Sequence, residues 1–253
     1  MVTDECRSES LRIAMWSGPR NISTAMMRAW ENRPDTAVVD EPFYACYLAA
    51  SGADHPLREA VLEAQSTDWH AVSRMLTGDV PGGRRIFYQK HMTHHMLPEA
   101  PLGWLERVSH AFLIRHPHEV AASYVHARKA VPALEDLGYA RQAELFDRIA
   151  DGRGQAPPVI DARDVLERPE STLRALCSAL DVAFEECMLS WPAGPRATDG
   201  VWAPHWYQSV WRSTGFGSPR PPPEPAPELL PVIDAAVPFY ERLARHRLSA
   251  ETP

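Results

Sequence analysis

Five short apolar segments, each followed by a polar or turn-forming stretch, constrain the fold of this chain more than any other feature. Each is apolar on both faces, which is typical of strands in a parallel sheet that helices cover. Apolar residues at helical spacing lie between the segments. We therefore predict an α/β fold in which helices flank a central parallel sheet of about five short strands, giving three layers. The predicted strands cover residues 11–17, 36–39, 85–89, 110–114 and 158–161, and the main predicted helices cover 22–32, 57–77, 119–129 and 169–181.

The length of 253 residues favours one domain over two. Within a single domain over residues 1–253 we expect a polar N-terminal tail at 1–10 and a C-terminal helix at 232–246. Seven of the 24 prolines crowd residues 219–231. This composition indicates a proline-rich segment over 217–231 that is either a stiff connector or a strap lying on the surface.

The charge balance limits the partners of the chain. Lys and Arg number 26 against 33 Asp and Glu, so the formal net charge is −7 and a broad basic surface for nucleic acid or anionic membrane is excluded. No apolar run approaches the roughly 20 residues of a membrane span. The N-terminal residues are polar and acidic, unlike a signal peptide, and the four cysteines show no metal-binding or disulfide spacing. We expect a cytoplasmic protein that binds neither nucleic acid nor membrane.

The loop at residues 18–24 joins the first predicted strand to the first predicted helix. Backbone N–H groups at a helix start attract phosphate, Ser23 and Thr24 add hydroxyl donors, and Arg20 adds a fixed positive charge. A strand-to-helix turn with ordinary Ser/Thr capping fits this loop equally well. The loop is not a Walker A sequence, because Ile22 and Ser23 stand where that motif has Gly-Lys.

Chemically reactive residues also follow the other predicted strands. In an open parallel sheet, ligands bind beyond the carboxyl ends of the strands. Asp40-Glu41, Lys90-His91 and Arg115 stand at three of these ends, and Ser123 follows Arg115 by eight residues. Arg115 can bind a phosphate with two parallel hydrogen bonds. Asp40, after Val38-Val39, could alternatively hold Mg²⁺ as a Walker B aspartate does.

Together these segments resemble the sulfotransferases that use 3′-phosphoadenosine 5′-phosphosulfate (PAPS), in particular bacterial members. Residues 19–24, Pro-Arg-Asn-Ile-Ser-Thr, resemble the family's 5′-phosphosulfate loop, Pro-Lys-Ser-Gly-Thr-Thr. Arg115 and Ser123 resemble its 3′-phosphate motif, Lys90-His91-Met92 with Leu97-Pro98 its Lys-Thr-His-Leu-Pro segment, and residues 196–202 its C-terminal segment that closes over the nucleotide. The resemblance covers residues 11–202 and implies a P-loop NTPase-like fold.

Three positions depart from the family pattern. Arg20 replaces a lysine and keeps its charge, but a guanidinium cannot give up its proton to a leaving group. Ile22 replaces a glycine, so we expect that the loop does not adopt a glycine-only conformation there. His91 comes one residue before the position of the family histidine, which Met92 occupies.

The resemblance implies transfer of a sulfuryl group from PAPS to a hydroxyl or amine of a small-molecule acceptor, with 3′-phosphoadenosine 5′-phosphate (PAP) as product and no metal required. Glu41-Pro42-Phe43 resembles a segment in which some bacterial members carry a glutamate base. Glu41 is therefore favoured slightly over His91 as general base, with Lys90 or His91 stabilising the transferring group. The nucleotide-binding residues implied are Pro19, Arg20, Asn21, Ile22, Ser23, Thr24, Arg115, Ser123 and Arg196, with Arg20 also in the catalytic set, and the acceptor-binding residues are Phe43, Tyr44 and Tyr47.

Two other functions remain open from the sequence. A P-loop kinase or NTPase would use Mg-ATP through residues 18–24 and Asp40. A non-catalytic relative would bind PAP without transfer. Metal binding by His91, His94 and His95 is not expected, because His91 is predicted to end a strand and no Cys or Asp ligand lies near. A homodimer is left open.

Overall fold

The computed structural model describes residues 10–219 and 221–249. The predicted N-terminal tail at 1–10 lies outside the described residues apart from Ser10, and so does Cys6. Within them a five-stranded parallel sheet forms, with the strand order β2-β3-β1-β4-β5. The strands are β1 Leu11–Ser17, β2 Thr36–Asp40, β3 Ile86–Met92, β4 Ser109–Ile114 and β5 Val159–Asp161.

The sheet confirms the predicted fold class. Four of the five strands begin and end within one residue of the predicted bounds, and the third strand, β3, is longer than predicted. β3 continues beyond the predicted end at Gln89, because its last residues pair with the end of β1 in register Trp16 to His91 and Ser17 to Met92. Every residue of β3 is buried. This is the pattern expected for a central strand that helices cover on both faces.

Helices on both faces complete the three layers. The predicted helix at 57–77 is two helices, because Gln65 takes an extended conformation and Asp68 starts a second helix by accepting from the N–H groups of His70 and Ala71. The helices are α1 Ser23–Glu31, α2 Tyr44–Ser51, α3 Arg58–Ala64, α4 Trp69–Thr77, α5 Pro117–Arg128, α6 Leu134–Leu137, α7 Tyr139–Arg153, α8 Ala162–Glu167, α9 Pro169–Ala179, α10 Ala203–Trp206, α11 Gln208–Trp211 and α12 Leu230–Ala244.

Alternate residues of each strand face two separate hydrophobic cores. Trp16, Phe87 and Phe112 point into one core, which α7 and α12 cover. Met15 and Tyr88 point into the other, which α1 and α9 cover. Because side chains alternate with a period of two along a strand, the same pleat decides which residue at each strand end can reach the ligand edge.

The C-terminal segment returns across α5 and α7. The described part of the predicted proline-rich segment lies against α5, where His118 Nε2 is 2.7 Å from the carbonyl oxygen of Pro223. The C-terminal helix, α12, begins at Leu230, two residues before its predicted start, and carries Pro231 in its first turn, where a proline is tolerated. Among the residues that the structure describes, no helix has the length and apolar character to cross a membrane.

Candidate functional site

A cavity of about 240 Å³ opens at the carboxyl edge of the sheet. Its walls come from the loop after β1, the ends of β2, β3 and β4, the helix α5 and the segment that contains α10 and α11. This is the edge at which ligands bind in open parallel sheets. Of the residues predicted to form the site, the cavity lining includes Pro19, Arg20, Asn21, Ile22, Ser23, Thr24, Glu41, Tyr44, Tyr47, Lys90, Arg115 and Ser123.

The loop after β1 leads into the N-terminus of α1 through an unusual backbone conformation. Arg20 has φ 58° and Ile22 has φ 48°, both in the left-handed region. The expectation that Ile22 keeps the loop out of the conformation that favours glycine is therefore wrong. A β-branched residue in this region is strained, at a cost of about 1–3 kcal/mol, and such strain occurs most often at functional sites. No side chain among residues 10–219 and 221–249 caps α1, so its first N–H groups remain available to an anion.

Hydrogen bonds join this loop to the end of β4 and to α5. Arg20 Nε donates to Ser123 Oγ at 3.1 Å, and Arg115 Nη1 donates to the carbonyl oxygen of Arg20 at 2.8 Å. Burial, followed by the positive charges of Arg115 and Arg128, lowers the pKa of Arg20. The predicted phosphate-binding residues of the two motifs thus meet at one point where positive charge accumulates.

Glu119 fixes the side chain of Arg115. Arg115 Nε donates to Glu119 Oε2 at 2.8 Å, and Arg163 Nη2 donates to the other oxygen of the same carboxylate at 2.6 Å. Tyr139 donates to the backbone carbonyl of Arg115 at 2.7 Å. Arg115 is therefore oriented before any ligand binds, which reduces the entropy that binding has to overcome.

At the other end of the cavity, Lys90 is buried among acidic partners. Its Nζ lies 2.8 Å from Asp40 Oδ1, 2.8 Å from Glu41 Oε1 and 2.6 Å from the hydroxyl of Tyr207. Burial alone would lower the pKa of Lys90, but Asp40 and Glu41 outweigh it and raise that pKa well above its ordinary value. Lys90 is held as a cation.

Glu41 presents its carboxylate to the cavity beside Lys90. Its backbone takes the left-handed conformation at φ 43°, and its N–H donates to the carbonyl oxygen of Lys90 at 3.0 Å. Oε2 lies 3.9 Å from His95 Nε2, beyond hydrogen-bond distance, so this oxygen is free to accept a proton. Burial raises the pKa of Glu41, Lys90 opposes the rise, and Asp40 adds to it. A raised carboxyl pKa brings the group closer to the working range of a general base.

Asp40 does not present an open magnesium ligand. Oδ1 accepts from Lys90, while Oδ2 accepts from Tyr207 at 2.7 Å and from the N–H of Gly200 at 3.2 Å. Asp40 is buried and outside the cavity lining. The Walker B interpretation of residues 38–41 therefore finds no support in the geometry.

His91 is not brought to the cavity with the other site residues. Lys90 and His91 are neighbours in β3, so the pleat sends them to opposite faces of the sheet. His91 is 1% exposed and stacks on Trp16 with ring centroids 4.6 Å apart, and its Nε2 lies 3.2 Å from Gln89 Oε1. Burial lowers its pKa to about 3, so it is a neutral member of the core. Its predicted catalytic role finds no geometric support.

Two further predicted residues also lie outside the cavity lining. Phe43 is 2% exposed and stacks with Trp69 at a centroid distance of 5.5 Å, because the turn at Glu41 directs it into the core. Arg196 forms an ion pair with Glu31, its Nη1 lying 3.0 Å from Glu31 Oε2. Arg196 therefore braces the segment before α10 against α1 instead of reaching the predicted phosphate site.

Aromatic rings and neutral histidines form the wall beside Glu41. His95 stacks between Tyr44, at a centroid distance of 4.5 Å, and Tyr47, at 5.0 Å. Burial lowers the pKa of His94 to about 3 and that of His95 well below its ordinary value, so both are neutral at physiological pH. Nδ1 of each ring is buried and finds no hydrogen-bond partner in the described part of the chain. This wall is therefore built of aromatic and uncharged rings.

Sequence reasoning missed several lining residues, notably Arg128, His95 and Tyr207. Arg128 stands in the last turn of α5, where cations are common for reasons of the helix dipole. Tyr207 is one of many aromatics at 200–216, and nothing in the sequence distinguishes it. His95 falls within a helical turn at Thr93–His95 after the extension of β3. Within the described part of the chain, no group of three or more His, Cys, Asp and Glu side chains is arranged to hold a metal ion.

Comparisons with known proteins agree with this fold. Two solved structures share the fold: a sulfotransferase from Alicyclobacillus acidocaldarius (TM-score 0.58, 16% identity, 96% of this chain and 98% of that one) and the sulfotransferase domain from the curacin biosynthetic pathway (TM-score 0.53, 19% identity, 91% and 99%).

A protein of Arabidopsis thaliana named branched-chain-amino-acid aminotransferase-like protein 1 is 37% identical over 236 residues, which are 92% of this chain but only 42% of that protein. This chain thus spans about two fifths of the length of that relative. The family model of the sulfotransferase domain matches residues 11–247, which include every strand of the sheet and the whole lining of the cavity. The chain therefore belongs to the sulfotransferase domain family.

Proposed function

We propose that this protein transfers a sulfuryl group from PAPS to a hydroxyl or amine of a small-molecule acceptor. The observation that carries the proposal is the meeting of Arg20, Arg115 and Ser123, which lie far apart in the chain and are joined by hydrogen bonds of 2.8 and 3.1 Å at one wall of the cavity. Membership of the sulfotransferase domain family supports the reaction type.

The residues present fit a nucleotide that carries two separate phosphate-like groups. The uncapped start of α1 with Ser23 and Thr24 supplies N–H and hydroxyl donors, and Arg20 adds a cation beside them. Arg115 and Ser123 supply a second cluster of donors that shares Arg20 with the first. In our proposal the first cluster holds the 5′-phosphosulfate and the second holds the 3′-phosphate.

When bound, PAPS supplies an activated sulfuryl group whose sulfur bonds to the acceptor oxygen or nitrogen as its bond to the 5′-phosphate of PAP breaks. Glu41 accepts the acceptor's proton at Oε2, the oxygen that Lys90 leaves free. Arg20 and the N–H groups of α1 bind the negative charge on the transferring and leaving oxygens. Because a sulfuryl group carries less negative charge than a phosphoryl group, arginine and N–H donors can serve without Mg²⁺.

Lys90 orients the base. It fixes Oε1 of Glu41 at 2.8 Å and is itself fixed by Asp40 and by Tyr207, which Trp202 also contacts through Nε1 at 3.0 Å. Every polar atom of this cluster except Glu41 Oε2 has a partner. In our proposal the cluster thus leaves one reactive oxygen facing the acceptor.

Titration of the protein with PAP, with ADP and with ATP plus Mg²⁺, followed by thermal unfolding, tests the nucleotide. We expect PAP to stabilise the fold by about 2.7 kcal/mol at a hundredfold excess over its dissociation constant. ADP, which lacks a 3′-phosphate, should give a much smaller effect. A strong response to ATP and Mg²⁺ with none to PAP would contradict the proposal and favour a kinase or NTPase.

Mass spectrometry of acceptors incubated with PAPS tests the transfer step. We expect an increase of one sulfuryl group in an acceptor and release of PAP, both dependent on Glu41. PAP binding with no product from any hydroxyl or amine compound in a broad panel would favour the non-catalytic alternative.

A further inference from the structure

Arg128 is a cation in the cavity that the proposed reaction leaves unused. Its guanidinium carbon lies 5.3 Å from the ring centroid of Tyr124 and 4.9 Å from that of Trp206, so two aromatic faces hold it at the cavity wall. No hydrogen bond or ion pair connects Arg128 to another residue of the described ranges 10–219 and 221–249. Stacking fixes the plane of the guanidinium but leaves its N–H donors free.

Arg128 borders the acceptor side of the cavity, because Trp206, on which it stacks, packs in one hydrophobic cluster with Tyr44 and Tyr47. Its charge also reaches Arg20 on the other side. Burial, followed by the charge of Arg128, lowers the pKa of His55 to about 4. Burial, His55 and Arg128 lower the pKa of His94 to about 3. Both histidines lie beside Tyr47, which contacts His55 at a centroid distance of 5.6 Å and His94 at 5.6 Å. Arg128 therefore faces the same aromatic wall that stands next to Glu41.

A second charged side chain at this wall, the carboxylate of Asp136, disfavours a ligand that carries more than one anionic group here. Asp136 lines the cavity, is exposed, and accepts the N–H of Ala133 at 2.9 Å. It lies more than 4.0 Å from Arg128, since no ion pair joins them. Its negative charge would repel a second anionic group at this end of the cavity. Arg20 and Arg115 lie toward the proposed nucleotide site.

We propose that the acceptor is a small hydroxylated carboxylate, with its carboxylate bound by Arg128 and its hydrocarbon body against Tyr44 and Tyr47. A planar guanidinium with free donors matches a carboxylate through two parallel hydrogen bonds. This inference rests on the proposed sulfuryl transfer, because the reacting hydroxyl is placed at Glu41.

Matched pairs of acceptors test the inference in the wild-type protein. Aromatic and aliphatic hydroxy acids, such as 4-hydroxybenzoate and hydroxyoctanoate, are compared with their methyl esters by the rate of PAP release from PAPS. We expect kcat/KM for at least one acid to exceed that of its ester by about 10- to 100-fold, as expected for a charge-assisted pair. Esters that equal or exceed their acids throughout the panel overturn the inference.

Variants of Arg128 separate this inference from the nucleotide proposal. Arg128→Gln should remove the preference for acids and the binding of benzoate to the PAP-loaded protein, measured by calorimetry. Arg128→Lys should restore only part of both, because an ammonium lacks the planar fork. Arg148→Gln, which changes an exposed arginine of α7 outside the cavity, is the matched control and should behave like wild type.

The affinity for PAP distinguishes the two possible failures. If wild type does not bind PAP, the proposed function fails. If wild type binds PAP and Arg128→Gln loses PAP affinity as severely as Arg115→Gln, Arg128 belongs to the nucleotide site and the carboxylate inference is overturned. The inference stands if two results are found together. The PAP affinity of Arg128→Gln should lie within about threefold of the wild-type affinity, a change of less than 1 kcal/mol, and the variant should no longer prefer acids over esters.

Discussion

The two ends of the cavity balance their charges in opposite ways. Around Lys90 the charges are internally satisfied, because one buried ammonium contacts the carboxylates of both Asp40 and Glu41 within 2.8 Å. At the other end, Arg20 has no carboxylate partner among the described residues and contacts the neutral Ser123 side chain. Arg115 shares the single carboxylate of Glu119 with Arg163. One end is complete as it stands, whereas the other has an excess of positive charge that an anion would balance.

We infer from this difference that the two ends of the cavity serve different steps of the proposed reaction. A group that moves a proton benefits from a rigid, preorganised setting that adjusts its pKa, and in our proposal the Lys90 cluster provides this setting for Glu41. A site that binds a polyanion benefits from donors that remain free until the ligand arrives. Variants of the first end should therefore affect turnover or stability, and variants of the second end should affect ligand affinity.

The largest expected effect is on turnover. Glu41→Gln removes the proton acceptor but keeps the size of the side chain, so we expect the rate of PAP release from PAPS to fall by about 10²- to 10⁴-fold. PAP affinity should remain close to that of wild type, because Glu41 lies at the opposite end from Arg115. Glu63→Gln, an exposed residue of α3, is the control and should leave the rate unchanged. Retention of more than a tenth of the wild-type rate in Glu41→Gln would exclude Glu41 as the base.

The next effect is on stability. Lys90→Met leaves the carboxylates of Asp40 and Glu41 buried without their cation, and we expect the free energy of unfolding to fall by about 3–5 kcal/mol in denaturant titrations. Adding Asp40→Asn to Lys90→Met should recover part of the loss, because one of the two uncompensated charges is then absent. Lys129→Met, an exposed residue after α5, should have little effect. A small loss in Lys90→Met would mean that the cluster does not hold these charges together.

A smaller effect is expected on nucleotide affinity at the opposite end. Arg115→Gln removes a cation and its bond to the loop carbonyl at Arg20, so PAP affinity measured by calorimetry should fall by about 10- to 100-fold. Arg163→Gln is a close control, since Arg163 shares the Glu119 carboxylate with Arg115 but does not line the cavity. Equal losses in the two variants would assign Arg115 a structural role at Glu119 instead of a ligand-binding one.

The sequence predicted the sheet and the meeting of strand-end residues, because these follow from local hydrophobic patterns and from the general geometry of parallel sheets. Arg20 and Arg115 could be assigned to one edge of the sheet for this reason, whereas Ser123 was assigned through the resemblance to the sulfotransferases. The prediction was less successful for β3. The prediction placed Lys90 and His91 together at the strand end as residues of one site, whereas pairing with β1 keeps both in the strand and on opposite faces.

The remaining differences come from long-range contacts that a local pattern does not contain. Arg196 pairs with Glu31, which is 165 residues away in the chain, and Tyr207 completes the Lys90 cluster from a distance of 117 residues. Phe43 is directed into the core by the left-handed turn at Glu41, and nothing in the residue type of a glutamate indicates that turn. Arg128 was overlooked because its position at a helix end has an ordinary explanation.

The smallest expected effect is a pH dependence of stability that again depends on the Lys90 end. Glu41 has a pKa above its unfolded value of about 4.3, so the folded state holds a proton that the unfolded state has released between those two values. Over that window wild type should lose stability as pH rises, by about 1.4 kcal/mol per pH unit, whereas Glu41→Gln has no such proton. The stability of Glu41→Gln relative to wild type should therefore increase from acidic to neutral pH in denaturant titrations. The histidines are present in both proteins, so their contributions to the pH dependence largely cancel in the stability difference between Glu41→Gln and wild type. A relative stability that stays constant or decreases with pH would show that Lys90 outweighs burial and that Glu41 is ionised at every pH where the protein is folded.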